Sequence, residues 1–245
     1  MKESTLKLEQ VLERFAEGLV AVDSNTTHSS ANQRTGEIYL PGVKTLREPV
    51  FVEELITWWR NKYENDFNPK DASDIEVPYP DVARAKCDLI FSTDGSSLEN
   101  PEWAIEVKHI ALVGNNGKNN DYGVPKILSP YLKDRSLIHD IKRMQEHRIG
   151  KKQAVIGYCF EYSYETCDKA LAHHSQYEEY INNVRLVCHK NGGANGELSA
   201  IPMAEFANEI FVSKNLVKPM VIREFKNAWR HPCGGNGHIF GWEII

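Results

Sequence analysis

Apolar residues at Leu6, Leu8, Val11, Leu12, Phe15, Leu19 and Val20 recur with helical spacing and predict a helix over residues 4–22. The polar run DSNTTHSSANQRT, residues 23–35, has almost no apolar side chain and reads as a long loop. A second helix is expected from Thr45, where Thr45-Leu46-Arg47-Glu48 matches a capping box and Pro49 falls in the first turn, whose amides need no intrahelical acceptor. Its apolar stripe is Val52, Leu55, Ile56 and Trp59; four residues back the stripe reaches Glu48, so Glu48 rather than Glu53 or Glu54 faces the core side.

The period then changes. Ile75-Glu76-Val77-Pro78 reads as a first strand. Cys87-Asp88-Leu89-Ile90-Phe91 and Trp103 to Ile110 follow as two further strands joined by turn residues Thr93 to Ser97, with Pro101 beyond them, which makes a hairpin. GNNGKNNDYG, residues 114–123, is too rich in Gly and Asn for regular structure. Leu137, Ile138, Ile141 and Met144 mark a helix from about Asp134, and Gln153 to Phe160 a buried strand. Downstream, Val184 to Cys188 reads as a strand, Met203 to Val212 as a helix, residues 219–230 as a last helix, and His238 to Ile244 as a closing strand, with NGGANG and GGNG as turns.

Charged residues inside the apolar hairpin raise the chemical question. Alternation puts Glu106 and Lys108 on one face of their strand, with Ile105, Val107 and His109 on the other. Acid-X-Lys also occurs at Asp140-Ile141-Lys142 and Glu224-Phe225-Lys226, but both stretches have helical spacing, where such charges usually face solvent. Asp88 and Glu106 are roughly equidistant from the turn, so pairing brings two carboxylates together. In a half-buried site that costs several kcal/mol or forces one to protonate, unless a cation lies between them. A hard divalent ion fits, Mg²⁺ being usual where few carboxylates are offered, with Mn²⁺ as a substitute. The ammonium of Lys108 could then orient an attacking water and offset charge growing on a phosphate. The competing reading is a cross-strand ion pair with no chemistry.

These residues resemble the PD-(D/E)XK nuclease superfamily, with Asp88 as the lone Asp and Glu106-Val107-Lys108 as the (D/E)-X-K. The resemblance implies an α/β, restriction-endonuclease-like fold with a central mixed β-sheet flanked by helices. It also implies a metal held by Asp88 and Glu106 with help from the Val107 carbonyl, and hydrolysis of a phosphodiester. In that family a helix before the sheet often adds an acid, and Glu48 is the candidate. The Pro-Asp pair occurs at Pro80-Asp81, before Asp88, so either aspartate could be the ligand; Asp88 is preferred because it lies within a strand and Asp81 in a Pro-rich turn.

Bulk properties narrow the setting. With 245 residues, 41% hydrophobic and 26% charged, the chain suits one domain, here a nuclease domain with an N-terminal helical extension (about 1–35) and a C-terminal elaboration (about 190–245). No run is apolar enough for a membrane helix, and Met1-Lys2-Glu3-Ser4 does not open a signal peptide, so a cytoplasmic protein is expected. Five scattered cysteines suit a reducing compartment and lack the pairing of a zinc site. A net charge of −5 argues against non-specific coating of nucleic acid, yet local patches remain. Asn116, Lys118, Asn119 and Asn120 in the Gly/Asn loop and the cations Lys142, Arg143 and Arg148 are candidates for contacting DNA. The leading expectation is a Mg²⁺-dependent endonuclease for double-stranded DNA, of a restriction or other defence type, acting as a homodimer because two strands need two sites. The alternative is a non-catalytic module of the same fold that binds nucleic acid or a partner.

Overall fold

In the computed structural model, which describes residues 5–27, 31–32, 35–120, 123–131 and 136–245, the chain builds a six-stranded mixed sheet flanked by helices. The strands are β1 (Ser73–Pro78), β2 (Lys86–Phe91), β3 (Trp103–His109), β4 (Lys152–Phe160), β5 (Val221–Ala228) and β6 (Gly235–Glu243), in spatial order β1-β2-β3-β4-β6-β5. Only β3 and β4 are parallel neighbours; every other pairing is antiparallel. The helices are α1 (Leu8–Asn25), α2 (Glu48–Lys62), α3 (Gly123–Leu128), α4 (Leu137–Glu146), α5 (Tyr164–His173), α6 (Glu178–Asn191) and α7 (Ile201–Ser213). One buried apolar cluster runs from Leu6 to Ile244 and includes residues of α1, α2, α4 and every strand except β1 and β5 in full depth; β1 adds only partly buried side chains and β5 chiefly Phe225 and Ala228.

The predicted hairpin forms as β2 and β3. Its long connection is tied down at Glu102, 1% exposed, whose carboxylate takes the Thr93 amide at 3.0 Å and the Thr93 hydroxyl and pairs with Lys152 of β4 at 2.7 Å. The parallel β3–β4 pair needs a crossover, which carries α3 and α4.

Several expectations are corrected. Residues 184–188 belong to α6: Ile181, Val184, Val187 and Cys188 are its buried stripe, a helical spacing that the exposed Leu186 disguises as a strand-like apolar run. Residues 219–230 are not a helix but contain β5, an edge strand whose Arg223, Glu224 and Lys226 face solvent or flank the sheet margin, as charges on edge strands commonly do. The first helix ends at Asn25, so Asp23 is no loop residue; it is 1% exposed and accepts the amides of Val43 and Arg230, both at 2.9 Å. No capping box forms at Thr45, which lies in a short 3₁₀ turn while α2 starts at Glu48. The Gly/Asn loop, in its described part, is ordered by a Val113–Asn119 bridge and by bonds from Gly114 to Lys118 and from Gly117 to Gly114. Ser4 and Asp134, the expected starts of two helices, lie outside the described residues; helix is present from Leu8 and from Leu137.

Candidate active site

The sheet opens where the hairpin ends. β2 and β3 pair at Leu89–Ile105, Ile90–Ala104 and Phe91–Trp103, whereas β2 continues on β1 as far as Lys86–Pro78. One step past the last β2–β3 pair, Asp88 stands opposite Glu106, and Asp88 Oδ2 takes the Val107 amide at 2.7 Å. A side chain thus does there what the neighbouring strand's backbone does further along. The amide and carbonyl of one residue in an extended strand point the same way, so the Val107 carbonyl lies on this opened edge too. Lys108 Nζ is 3.4 Å from it.

Glu48 arrives from the first turn of α2. Released from any cap, its Oε1 accepts the backbone N–H of His109 at 2.8 Å, and its Oε2 is 3.9 Å from Lys108 Nζ. Three side chains complete the cluster that the hairpin pattern did not reveal. Tyr79, just after β1, donates its hydroxyl to Glu106 Oε1 at 2.7 Å. Arg143 of α4 donates to the same oxygen at 2.7 Å and to Asp140 at 2.6 Å. Asp140 is 2% exposed and its Oδ2, 3.4 Å from Lys108 Nζ, has no hydrogen-bond partner. Asp140 had a signal in the sequence: it lies three residues after Leu137 and four before Met144, on the buried stripe of α4 and not on a solvated face. Tyr79 had none.

Burial and mutual repulsion dominate the electrostatics. Glu106, 1% exposed, is pushed up to about 8 by burial and then by Asp88 and Asp140, against the pull of Arg143 and Tyr79. Burial also raises Asp88 and Glu48, with Lys108 opposing in both cases. For Lys108 burial works against the charge, but Asp140, Glu48, Asp88 and Glu106 outweigh it and hold the ammonium above the ordinary lysine range. Arg143 is held cationic in the same way by Glu106 and Asp140. With every group ionised, the carboxylates of Glu48, Asp88, Glu106 and Asp140 exceed the cations Lys108 and Arg143 by two charges.

The other expected residues are scattered. Asp81 is exposed in the β1–β2 turn and takes no part. Arg143, expected to reach a DNA phosphate, is turned inward onto Glu106 and Asp140. Lys142 is half-buried and Arg148 exposed; Asn116, Lys118 and Asn119 are exposed and Asn120 half-buried, its Nδ2 donating to the Ala111 carbonyl.

The donor set bears on whether Mg²⁺ suits the site. Among the described residues no group of three or more His, Cys, Asp and Glu side chains is disposed to hold a metal ion. The smaller set of two carboxylates and one main-chain carbonyl fits a hard cation that keeps several waters, and four carboxylates against two cations fit its positive charge. Among the described residues no helix is long and apolar enough to cross a membrane. Comparison of the chain with family models, with curated proteins and with solved structures gave no match.

Proposed function

We propose that the chain is a Mg²⁺-dependent endonuclease of the restriction-endonuclease-like fold that hydrolyses phosphodiester bonds of double-stranded DNA. The observation that carries this reading is the convergence of Asp88, Glu106 and Lys108 at the split between β2 and β3, with Glu48 tied by hydrogen bond to the same strand. The helix-then-strand order of α4 and β4 after the hairpin and the mixed sheet also agree with that family.

In this reading Asp88, Glu106 and the Val107 carbonyl would hold the ion, and the chemistry it would supply when bound is a lowered pKa for a water. Lys108 places its ammonium beside that water and beside the phosphate oxygens that gain charge. Glu48 fixes the end of β3 through the His109 amide and keeps Lys108 protonated. Asp140 also pairs with Lys108, and Tyr79 and Arg143 fix the rotamer of Glu106 through one oxygen. A homodimer would present two such sites to the two strands.

The closed pattern of Arg143 on Glu106 and Asp140 favours a second reading, an ion-pair network that serves stability in a non-catalytic binding module. Incubation of the purified protein with plasmid and phage DNA, in Mg²⁺ or Mn²⁺ and in EDTA, tests the first reading: metal-dependent cutting is expected. Melting in the same buffers separates the two, since a network that holds no metal melts at one temperature in both.

A further inference from the structure

On the far side of His109 from the carboxylates lies a cavity of about 620 Å³, a size that accommodates a small organic ligand. Lys44, in the turn before α2, forms part of its wall and is 3% exposed. An ammonium has three donors. One reaches the Val113 carbonyl at 2.8 Å, the faces of Phe160 and Tyr162 lie 5.8 and 5.6 Å away, and no carboxylate pairs with it among the described residues. Burying an unpaired cation costs several kcal/mol, and burial here draws Lys44 down to about 8. The ring of His109 lines the same cavity, and its Nε2 is buried with no hydrogen-bond partner. Tyr39 and Asn120 add polar edges, and Leu40 and Leu46 an apolar wall. The one acid on the wall, Glu37, is exposed at the rim.

A buried ammonium with one acceptor for three donors and a ring nitrogen with no partner, both on residues that line one roomy space, describe a site short of an anion. We propose that this cavity is an anion subsite that takes the phosphate of a nucleotide, with the Lys44 ammonium as its counter-ion and the polar and apolar walls against sugar and base. That an anion belongs there stands independently; that it is a nucleotide phosphate rests on the nuclease reading, since Lys44 and Glu48 bracket the same turn and His109 contacts both regions. The phosphate could come from a free nucleotide or from the end of a strand.

Calorimetric titration in EDTA, where no cleavage occurs, tests this with dTMP, thymidine, inorganic phosphate and a short oligonucleotide with and without a 5′-phosphate. The wild type should bind dTMP at least tenfold more tightly than thymidine or inorganic phosphate. A preference of the oligonucleotide for its phosphorylated form assigns the strand end as source, and its absence assigns the free nucleotide. Lys44→Met should lose tenfold or more of the dTMP affinity while melting no lower than the wild type, Lys44→Arg should keep most of it, and Asp88→Asn all of it. Equal wild-type affinity for dTMP and thymidine overturns the proposal whether or not Lys44→Met folds, as does Lys44→Met with undiminished binding; phosphate binding as tightly as dTMP overturns its nucleotide part. Lys44-dependent dTMP binding without any DNA cleavage would instead sink the nuclease reading alone.

Discussion

Glu106 carries more opposing demands than any other side chain in the site. It is 1% exposed, faces Asp88, and takes two donors on one oxygen. Its folded pKa of about 8, raised from 4.5, fixes the sign of a stability effect. The proton is retained in the folded state at pH values where the unfolded chain has released it, so stability falls as pH rises and the loss is complete above about pH 8. Between pH 6.5 and 8 the buried His109 and His231, which take up protons on unfolding near pH 6.5, and Lys44, drawn down to about 8, act in the opposite sense. Denaturant titrations in EDTA at pH 6.5 and 8 should therefore show the wild type losing stability relative to Glu106→Gln by on the order of 1 kcal/mol per pH unit. An equal slope in the variant would show that Glu106 is not the group responsible. Lys108 separates chemistry from binding. Lys108→Ala removes a cation and no ligand, so Mg²⁺ and DNA affinity should hold while single-turnover cleavage slows by about 10²-fold or more. Arg should rescue it only in part, because a planar guanidinium does not replace a compact ammonium; an unchanged rate for Lys108→Ala would reduce it to an ion-pair partner.

At the scale of elements, what was legible in the sequence followed from burial and what was not followed from long-range pairing. The hairpin was readable because Leu89, Ile90, Phe91, Trp103 and Ile105 are 0–3% exposed and leave a dense apolar signature. So was the position of Glu48: the stripe of α2 points it inward, and it bonds to His109 of β3 instead of capping its own helix, a partner 61 residues away that no local rule supplies. β5 was unreadable for a related reason. Its side chains are mostly half-buried or exposed and its order comes from pairing with β6, where Phe225 lies against Gly237. The Gly/Asn loop shows the converse. Gly117 has φ of +74°, and a Cβ there would lie 2.1 Å from the Tyr180 carbonyl oxygen. Gly117→Ala should accordingly destabilise by more than about 1 kcal/mol, measured by urea unfolding; a neutral effect would mean that the loop does not pack on α6.

At the scale of the molecule, one structural event makes the site: β2 stays with β1 while β3 stays with β4, and the amides of Val107 and His109 bared by that parting are met by Asp88 and by Glu48 of α2. Strand order alone cannot be read from local pattern, and neither could the joining of β6 to β4, which places the chain's last strand inward of the edge strand β5. The central claim is that this parting is a metal-dependent hydrolytic centre. Its most direct measurement is single-turnover cleavage of double-stranded DNA in Mg²⁺ by the wild type and by Asp88→Asn, purified identically and matched for melting temperature. The account predicts cutting by the wild type that EDTA stops and that Asp88→Asn lacks; cutting that persists undiminished in Asp88→Asn, or a wild type that leaves DNA intact in both Mg²⁺ and Mn²⁺, would contradict it.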